Sequence, residues 1–265
     1  MARWRFGRAE KEVVDADRQV ERWADRFPIL NTYATVLVVI LVDLLLIGLG
    51  GDLPVGQIFI LFTRVAVLLL ALHVSRVRAR LDALAVMLAV IAVLVGTGLL
   101  LGGTKTGVTI ATLIGVVLIL IPPFAIARRL VEIIREQGVV LEAVWAALSI
   151  YLLIGLAYAS IFSALQQITG QPFFVQEAHP IAIDFVYFSF VTLTTTGYGD
   201  FTAASSFARM LAVSEGLFGQ LYLVTVVATI VSNLRRRQED ERILPHRPGR
   251  AREPEPTTAA DPETE

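Results

Sequence analysis

Six long apolar segments, separated by short polar links, set the pattern of hydrophobic and polar positions along the 265-residue chain. Their approximate bounds are 29–50, 55–74, 81–101, 107–127, 139–165 and 207–234. A helix needs about 20 predominantly apolar residues to cross the hydrocarbon core of a bilayer, and each segment meets that length. None carries the polar stripe at helical spacing that a surface helix of a soluble protein shows. The pattern predicts an all-α integral membrane protein with six transmembrane helices.

Composition supports this fold class and excludes several kinds of site. Hydrophobic residues make up 55% of the chain and charged residues only 18%, whereas soluble domains average about 25% charged residues. The chain has no cysteine, which excludes disulfides and thiolate metal sites. Its three histidines, His73, His179 and His246, are too far apart in sequence to indicate a metal centre. We therefore expect a membrane protein that is not an enzyme.

The basic residues predict the orientation of the chain in the membrane. Of the 23 Lys and Arg residues, seven lie in 1–28, three in 75–80, three in 128–138 and seven after residue 234. Excess Lys and Arg marks the cytoplasmic side. Both termini are therefore expected in the cytoplasm of a multi-pass protein of the plasma membrane (the inner membrane of a cell that has two).

The segments outside the apolar stretches have their own predicted roles. Residues 1–28 place apolar side chains at helical spacing, which indicates an amphipathic cytoplasmic helix, either a membrane-surface anchor or a contact with a neighbouring subunit. Residues 128–138 are predicted to be a cytoplasmic linker. Residues 235–265, rich in charge, proline and threonine, are predicted to form a disordered cytoplasmic tail.

The link between the fifth and sixth segments contains a shorter apolar run and a glycine-containing motif. Residues 181–193 are apolar but too few to span a bilayer, so we expect a re-entrant helix. Pro180 suits its first turn, and Asp184 suits its positively polarised N-terminal end. The sequence Thr-Thr-Thr-Gly-Tyr-Gly-Asp follows at 194–200. Its glycines allow backbone conformations that other residues resist, and such non-helical backbone is tolerated at membrane depth only where it is buried or lines a wet cavity.

This motif and its flanks resemble the potassium channel family, whose selectivity filter reads Thr-x-Gly-Tyr-Gly, and in particular its six-helix prokaryotic members. The resemblance covers residues 139–234, which would form a two-helix pore domain with a re-entrant pore helix and filter loop between helices five and six. It implies that K+ is the permeant ion and that the filter consists of Thr195, Thr196, Gly197, Tyr198 and Gly199. The carbonyls of the first four, with the Thr195 hydroxyl, would replace the hydration shell of K+.

The resemblance also implies an assembly. One chain offers one carbonyl per layer of the filter, so a ring requires several chains, and the family forms homotetramers. We expect a homotetramer in a lipid bilayer, with no organic cofactor and no nucleic acid partner.

The chain departs from the family pattern around the filter. Thr196 stands where many members have Val, and Val191 stands where some have a Glu that pairs with the aspartate after the filter. Tyr187 and Phe188 occupy two positions that are often Trp; Tyr187 is able to donate a hydrogen bond to Asp200, whereas Phe188 donates none. The residues assigned to filter support are Thr194, Asp200, Tyr187 and Val191. We predict a filter with few cross-braces that is prone to inactivation.

The first four segments, 29–127, occupy the place of a voltage sensor but lack its arginine ladder. The fourth segment contains no arginine, and Arg128 and Arg129 only follow it, so steep voltage gating is not expected. Two charges lie inside the first two segments, Asp43 and Arg64. An ion pair between them is expected because an unpaired charge at that depth is costly, and a gating or ligand role is the alternative. Glu215 in the sixth segment is either a structural brace or a pH-sensitive group.

The inner part of the sixth segment is the expected gate. Gly219 lies twenty residues after the last filter glycine, where many family members have a hinge glycine. The residues expected to face the conduction path are Gln220, Leu223, Val227 and Val231. Two other functions remain open: a weakly selective K+/Na+ channel with a filter loosened by Thr196, and a voltage- or pH-modulated potassium channel. A transporter is disfavoured because the two halves show no inverted repeat.

Overall fold

The computed structural model describes residues 33–50, 53–75, 79–137 and 141–243. Seven helices form this part of the chain: α1 Tyr33–Gly50, α2 Pro54–Val74, α3 Ala79–Leu101, α4 Lys105–Gln137, α5 Leu141–Thr169, α6 Ala182–Leu193 and α7 Ser206–Ile243. These residues contain no β-strand, only one antiparallel bridge between Phe174 and Ala203. The amphipathic helix expected over 1–28 lies outside the described residues. The protein is all-helical where it is described, as predicted.

Within the described residues, four helices are long and apolar enough to cross a membrane: Tyr33–Gly50, Val55–Val74, Lys105–Arg135 and Leu141–Thr169. They coincide with the first, second, fourth and fifth apolar segments of the sequence. Helices α3 and α7 coincide with the third and sixth segments, and the crossing of the membrane by these two stays a prediction. The short apolar helix α6 lies where the re-entrant helix was expected.

Two helices run further than the sequence pattern indicates. Helix α4 continues to Gln137, so the segment predicted as a linker, 128–138, is helical almost to its end. Helix α7 continues to Ile243, so the predicted disorder is wrong for residues 235–243, and 244–265 lies outside the described chain. Both extensions are rich in Arg, Glu and Gln, which are good helix formers. In α4 an exposed ion pair one turn apart, Arg129–Glu132 at 2.8 Å, adds a small further contribution.

The packing of the helices brings α1 and α4 directly against α5. Helix α5 contacts α1, α4, α6 and α7, and α1 also reaches α6. One large apolar core joins these elements, and a smaller core of Leu61, Val65, Leu68, Val93 and Leu118 joins α2, α3 and α4. Helix α6 is therefore held between α5 and α7, with its C-terminal end leading directly into the motif at 194–200.

Candidate functional site: the loop after helix α6

The N-terminal end of α6 is fixed by Asp184. Its carboxylate accepts a hydrogen bond of 2.8 Å from the backbone N–H of Ile181, the residue before the helix. A carboxylate in the first turn also interacts favourably with the positive end of the helix dipole. On the side of α6 that faces α5, Gly155 of α5 leaves room for the ring of Phe190, because a Cβ at Gly155 would lie 2.8 Å from that ring. These contacts fix the orientation of α6 and so the position of the motif that follows it.

The backbone N–H groups of the motif turn back toward the end of α6. The N–H groups of Thr196 and Gly197 both donate to the carbonyl of Val191, at 2.9 and 3.3 Å, and the N–H of Thr195 donates to Thr192 at 2.9 Å. Val191, predicted as a supporting residue, thus contacts the motif through its backbone carbonyl. The first part of the loop, residues 195–197, is consequently tied to the helix through its N–H groups.

The carbonyl side of the same loop is turned away from the helix. Thr195, Gly197 and Gly199 have positive φ angles of 57°, 58° and 80°, and the residues between them do not. Alternation of right- and left-handed residues brings successive N–H groups to one side of the backbone, which leaves the carbonyls on the other. The carbonyls of Thr195, Thr196, Gly197 and Tyr198 accept no hydrogen bond from the described part of the chain. The loop therefore presents a row of carbonyl oxygens.

The threonine hydroxyls of the motif form hydrogen bonds with one another and with α7. The Thr194 hydroxyl donates to the Phe190 carbonyl at 2.7 Å and lies 2.9 Å from the Thr196 hydroxyl. The Thr195 hydroxyl donates to the Thr194 carbonyl at 2.7 Å and accepts a hydrogen bond of 3.1 Å from the Gln220 side chain. Gln220, which the sequence places on the conduction path, thus contacts the first residue of the predicted filter.

The end of the motif is braced by Tyr187. Its hydroxyl donates to the Asp200 carboxylate at 2.6 Å, which is the hydrogen bond that the sequence allows. The rings of Tyr187 and Tyr198 are parallel within 5°, with centroids 6.5 Å apart. The hydrogen bond to the Asp200 carboxylate raises the pKa of Tyr187 to about 12, and the Tyr187 hydroxyl holds the pKa of Asp200 below its usual value. Over the physiological range the pair is a neutral phenol on a carboxylate.

Phe188 belongs to a cluster of aromatic rings that sequence reasoning missed. Its ring lies 5.2–5.8 Å from those of Phe162, Phe173 and Phe174, and Phe201, just after the motif, lies 4.8 Å from Phe174. Edge-to-face pairs at these distances contribute about 0.5–1.5 kcal/mol each beyond their burial. Packing of rings from α5, α6 and the two flanking loops therefore supports the motif from behind, where a polar brace was expected to be missing.

Glu215 is fully buried at the junction of α5, α6 and α7. The Ser189 hydroxyl of α6 hydrogen-bonds both to Glu215 of α7 and, at 2.7 Å, to the carbonyl of Gly155 in α5. A hydroxyl has one proton, and a carbonyl only accepts. Both contacts are favourable together when Ser189 donates to Gly155 and a protonated Glu215 carboxyl donates to Ser189. The geometry favours the structural interpretation of Glu215 and a neutral side chain.

Helix α7 approaches the end of α6 closely at Gly219. A Cβ at this position would lie 2.6 Å from the carbonyl oxygen of Leu193, so only glycine fits without displacing backbone. Tyr222, one turn further, donates a hydrogen bond of 2.6 Å to the Ala147 carbonyl of α5. Val227 and Val231 lie further along α7, and their side chains are outside what the structure describes. Close packing is the structural role of Gly219, and its role as a hinge stays a prediction.

Asp43 and Arg64 do not form the direct ion pair expected from the sequence. The Asp43 carboxylate accepts a hydrogen bond from Thr63, and the Arg64 guanidinium donates to the Ser160 hydroxyl of α5 at 3.0 Å. Thr63 and Arg64 are consecutive on α2, so their side chains point in different directions, one toward α1 and the other toward α5. Arg64 lines a cavity of about 140 Å³ to which all of the helices α1–α6 contribute. Each charge therefore has a hydroxyl partner.

The part of the chain from α5 to α7 is similar to a known protein family. Residues 146–236 match a family model described as an ion channel. The matched segment begins in α5 and includes α6, the motif and most of α7. No curated protein matches the chain. The family match supports an ion channel family, indicates a non-enzymatic transport protein as predicted, and together with the apolar helices supports a multi-pass membrane protein in a lipid bilayer.

Proposed function

We propose that the chain is the subunit of a potassium-selective channel that conducts K+ passively through a homotetrameric pore. The observation that carries the proposal is the row of carbonyls from Thr195 to Tyr198, which accept no hydrogen bond within the described chain while the N–H groups of Thr195, Thr196 and Gly197 are tied to α6. Rings of such carbonyls replace the hydration shell of K+ in selective filters. The Thr195 hydroxyl would add the innermost ligand, and Gly199 would complete the filter.

Assembly into a tetramer follows from the same row. One chain supplies a single carbonyl to each layer, so the ion can be surrounded only by several copies of the loop, and the resemblance of the motif implies four. Helix α7 carries a line of exposed apolar side chains at helical spacing that suits contact with neighbouring subunits and lipid: Met210, Val213, Leu217, Leu221 and Val224. The C-terminal end of α6 would then direct its negative dipole end at the ion path.

The proposed topology has six crossings with both termini in the cytoplasm of the cell's inner membrane. Helices α3 and α7 supply the two crossings beyond the four that length and apolarity indicate. Helix α6 and the filter enter and leave from the outer side. The distribution of Lys and Arg supports this orientation.

The proposed channel is not steeply voltage-gated. A charge that crosses the field contributes about 2.3 kcal/mol per 100 mV, and steep gating needs several such charges in each subunit. In α4 the first arginine is Arg128, after the apolar stretch, and Arg64 of α2 is held by Ser160. Helices α1 and α4 therefore contribute packing against α5, and none of the first four helices carries a sensor ladder.

A weakly selective K+/Na+ channel is the second candidate. It is favoured by the side chains of Val191 and Phe188, neither of which is able to hydrogen-bond to the filter. The rings packed around Phe188 weigh against it, because they restrict the space behind the motif.

An ion-flux assay tests the proposal. The purified protein is reconstituted into liposomes loaded with K+ or with Na+. Cation efflux down the gradient draws protons into the liposomes through a protonophore, and the proton uptake is followed by the quenching of a pH-sensitive dye. We expect rapid quenching with K+, little with Na+, and none for Gly199→Ala, whose φ of 80° disfavours a side chain. Native mass spectrometry of the same sample is expected to give four chains. Equal flux of both ions would replace the proposal with the second candidate.

A further inference from the structure

The hydroxyl groups around the row of carbonyls have only one consistent assignment of their protons. Each threonine hydroxyl has one proton to donate. The Thr194 hydroxyl uses its proton on the Phe190 carbonyl at 2.7 Å. The 2.9 Å contact between Thr194 and Thr196 therefore requires that the Thr196 hydroxyl be the donor. The Thr196 side chain thus extends the tie between the middle of the motif and the end of α6.

The single proton of the Thr195 hydroxyl also determines the orientation of the Gln220 amide. The Thr195 hydroxyl donates its single proton to the Thr194 carbonyl at 2.7 Å. The group that approaches this hydroxyl from Gln220, at 3.1 Å, must then be the amide N–H₂, since an amide oxygen would face an oxygen without a proton. With its proton directed at the backbone and one acceptor site filled by the amide, the Thr195 hydroxyl keeps a lone pair free.

Thr195 is the residue of the motif whose backbone conformation most needs to be stabilised by its surroundings. Its φ of 57° is in the left-handed region, and among non-glycine residues of the described chain Thr195 stands alone there. This conformation costs an L-residue about 1–2 kcal/mol and is exceptional for a β-branched one. Interactions outside the residue must hold it, and its two side-chain hydrogen bonds are such interactions.

We propose that Thr196 and Gln220 are positioning residues of the filter: Thr196 ties the middle of the motif to Thr194 and α6, and Gln220 of α7 orients the Thr195 hydroxyl so that a lone pair faces the ion. The inference deepens the proposed function and rests on it. It assigns to the Thr196 hydroxyl the opposite role from that considered from the sequence alone, because the hydroxyl braces the filter instead of loosening it. The hydrogen bond from Thr196 to Thr194 also supplies part of the bracing that the Val191 side chain does not provide.

A threonine-to-valine exchange tests the first part, because valine has the shape of threonine without the hydroxyl. Single-channel and macroscopic currents are recorded from Thr196→Val, Thr196→Ser and the wild type in symmetric K+. We expect Thr196→Val to speed current decay about fivefold, the factor that corresponds to one lost hydrogen bond. Thr196→Ser restores the donor and is expected to decay within about twofold of the wild type. Thr109→Val on α4, whose hydroxyl contacts only its own helix, is the matched control and is expected to change nothing.

Replacement of Gln220 by methionine, of similar length but without a donor, tests the second part. The Na+/K+ permeability ratio is expected to rise severalfold, because the Thr195 hydroxyl then keeps only its own bond to the Thr194 carbonyl and loses the second contact that orients it. An unchanged ratio in Gln220→Met would overturn the role of Gln220, and a Thr196→Ser variant that decays as fast as Thr196→Val would overturn the brace. A wild type without K+ selectivity would overturn the proposed function itself, which keeps the two failures distinct.

Discussion

The Tyr187 hydroxyl donates a 2.6 Å hydrogen bond to the Asp200 carboxylate and so joins the middle of α6 to the residue that follows the Gly-Tyr-Gly motif. The two residues are thirteen positions apart and bracket the whole loop of carbonyls. The stacked ring of Tyr198 lies beside the same tyrosine. The pair therefore closes the C-terminal end of the loop, as the Val191 carbonyl closes its N-terminal part.

Removal of this brace is expected to destabilise the conducting filter. Tyr187→Phe keeps the ring and its stacking but loses the hydroxyl, so current decay during sustained opening should accelerate severalfold. Patch recordings of reconstituted channels measure the decay. Tyr158→Phe is the matched control, since its hydroxyl contacts Ser214 away from the loop. Identical decay in Tyr187→Phe and the wild type would count against the brace.

The same pair sets an expectation for external pH. The Tyr187 hydrogen bond lowers the pKa of Asp200, so its stabilisation is complete above the ordinary carboxyl value near 4 and is lost as the pH falls through the lowered value. The pKa of Tyr187 is raised to about 12. The stabilisation from its neutral hydroxyl is therefore complete below about pH 10 and is lost between about pH 10 and 12. We expect the decay rate to be constant between pH 5 and 9.

A titration of the external solution checks this window. Acceleration of decay is expected only below about pH 4, and Tyr187→Phe should shift the onset toward a higher pH because Asp200 loses its donor. A steep change near pH 7 that disappears in Asp200→Asn would show that this carboxyl titrates outside the predicted window.

Two neighbouring glycines of α7 should respond differently to alanine. A Cβ at Gly219 would lie 2.6 Å from the Leu193 carbonyl oxygen, whereas a Cβ at Gly216 would lie 3.8 Å from the nearest atom, the Thr192 carbonyl oxygen. Gly219→Ala is expected to destabilise the assembled protein by about 1–3 kcal/mol through overpacking. Gly216→Ala is expected to be neutral or to stabilise by up to ~1 kcal/mol, since alanine favours the helix.

Thermal unfolding in detergent, followed by the loss of the folded peak on size exclusion, compares the two variants. Equal stability of Gly219→Ala and Gly216→Ala would contradict the close contact between α7 and the end of α6. Currents from a stable Gly219→Ala protein would in addition test the hinge.

The proton count at Ser189 leads to a prediction for Glu215. A neutral acid that donates to Ser189 can be replaced by glutamine, whose amide also donates, so Glu215→Gln should retain wild-type stability. Ser189→Ala leaves the buried carboxyl without its partner and is expected to cost about 1–3 kcal/mol. Ser149→Ala is the matched control, because Ser149 is equally buried and bonds only to its own helix. Unfolding of Glu215→Gln at a much lower temperature than the wild type would mean that the side chain is ionised.

The sequence predicts most of the helices because apolar length is a local property. The segments at 29–50, 55–74, 107–127 and 139–165 correspond to the four helices that can cross a membrane. The short helix Ala182–Leu193 is predicted for the same reason, since its apolar run ends before a bilayer is crossed. The ends of α4 and α7 were misjudged because charged residues indicate water and do not by themselves end a helix.

The contacts that shape the candidate site are not local, and the sequence indicates only some of them. The Tyr187–Asp200 hydrogen bond was foreseen because the family resemblance assigns Tyr187 to a position that supports the residue after the filter. The position of Phe188 between Phe173 and Phe174 was not, because it depends on a loop that folds back over α6. The partners of Asp43 and Arg64 were wrong for a related reason: charge indicates a need for a partner but not which side chain meets it.

The reversal potential of the purified wild-type protein in a planar bilayer, with K+ on one side and Na+ on the other, tests the central claim most directly. The row of carbonyls from Thr195 to Tyr198 predicts a value near the K+ equilibrium potential. A robust current that reverses near zero would contradict a potassium-selective filter.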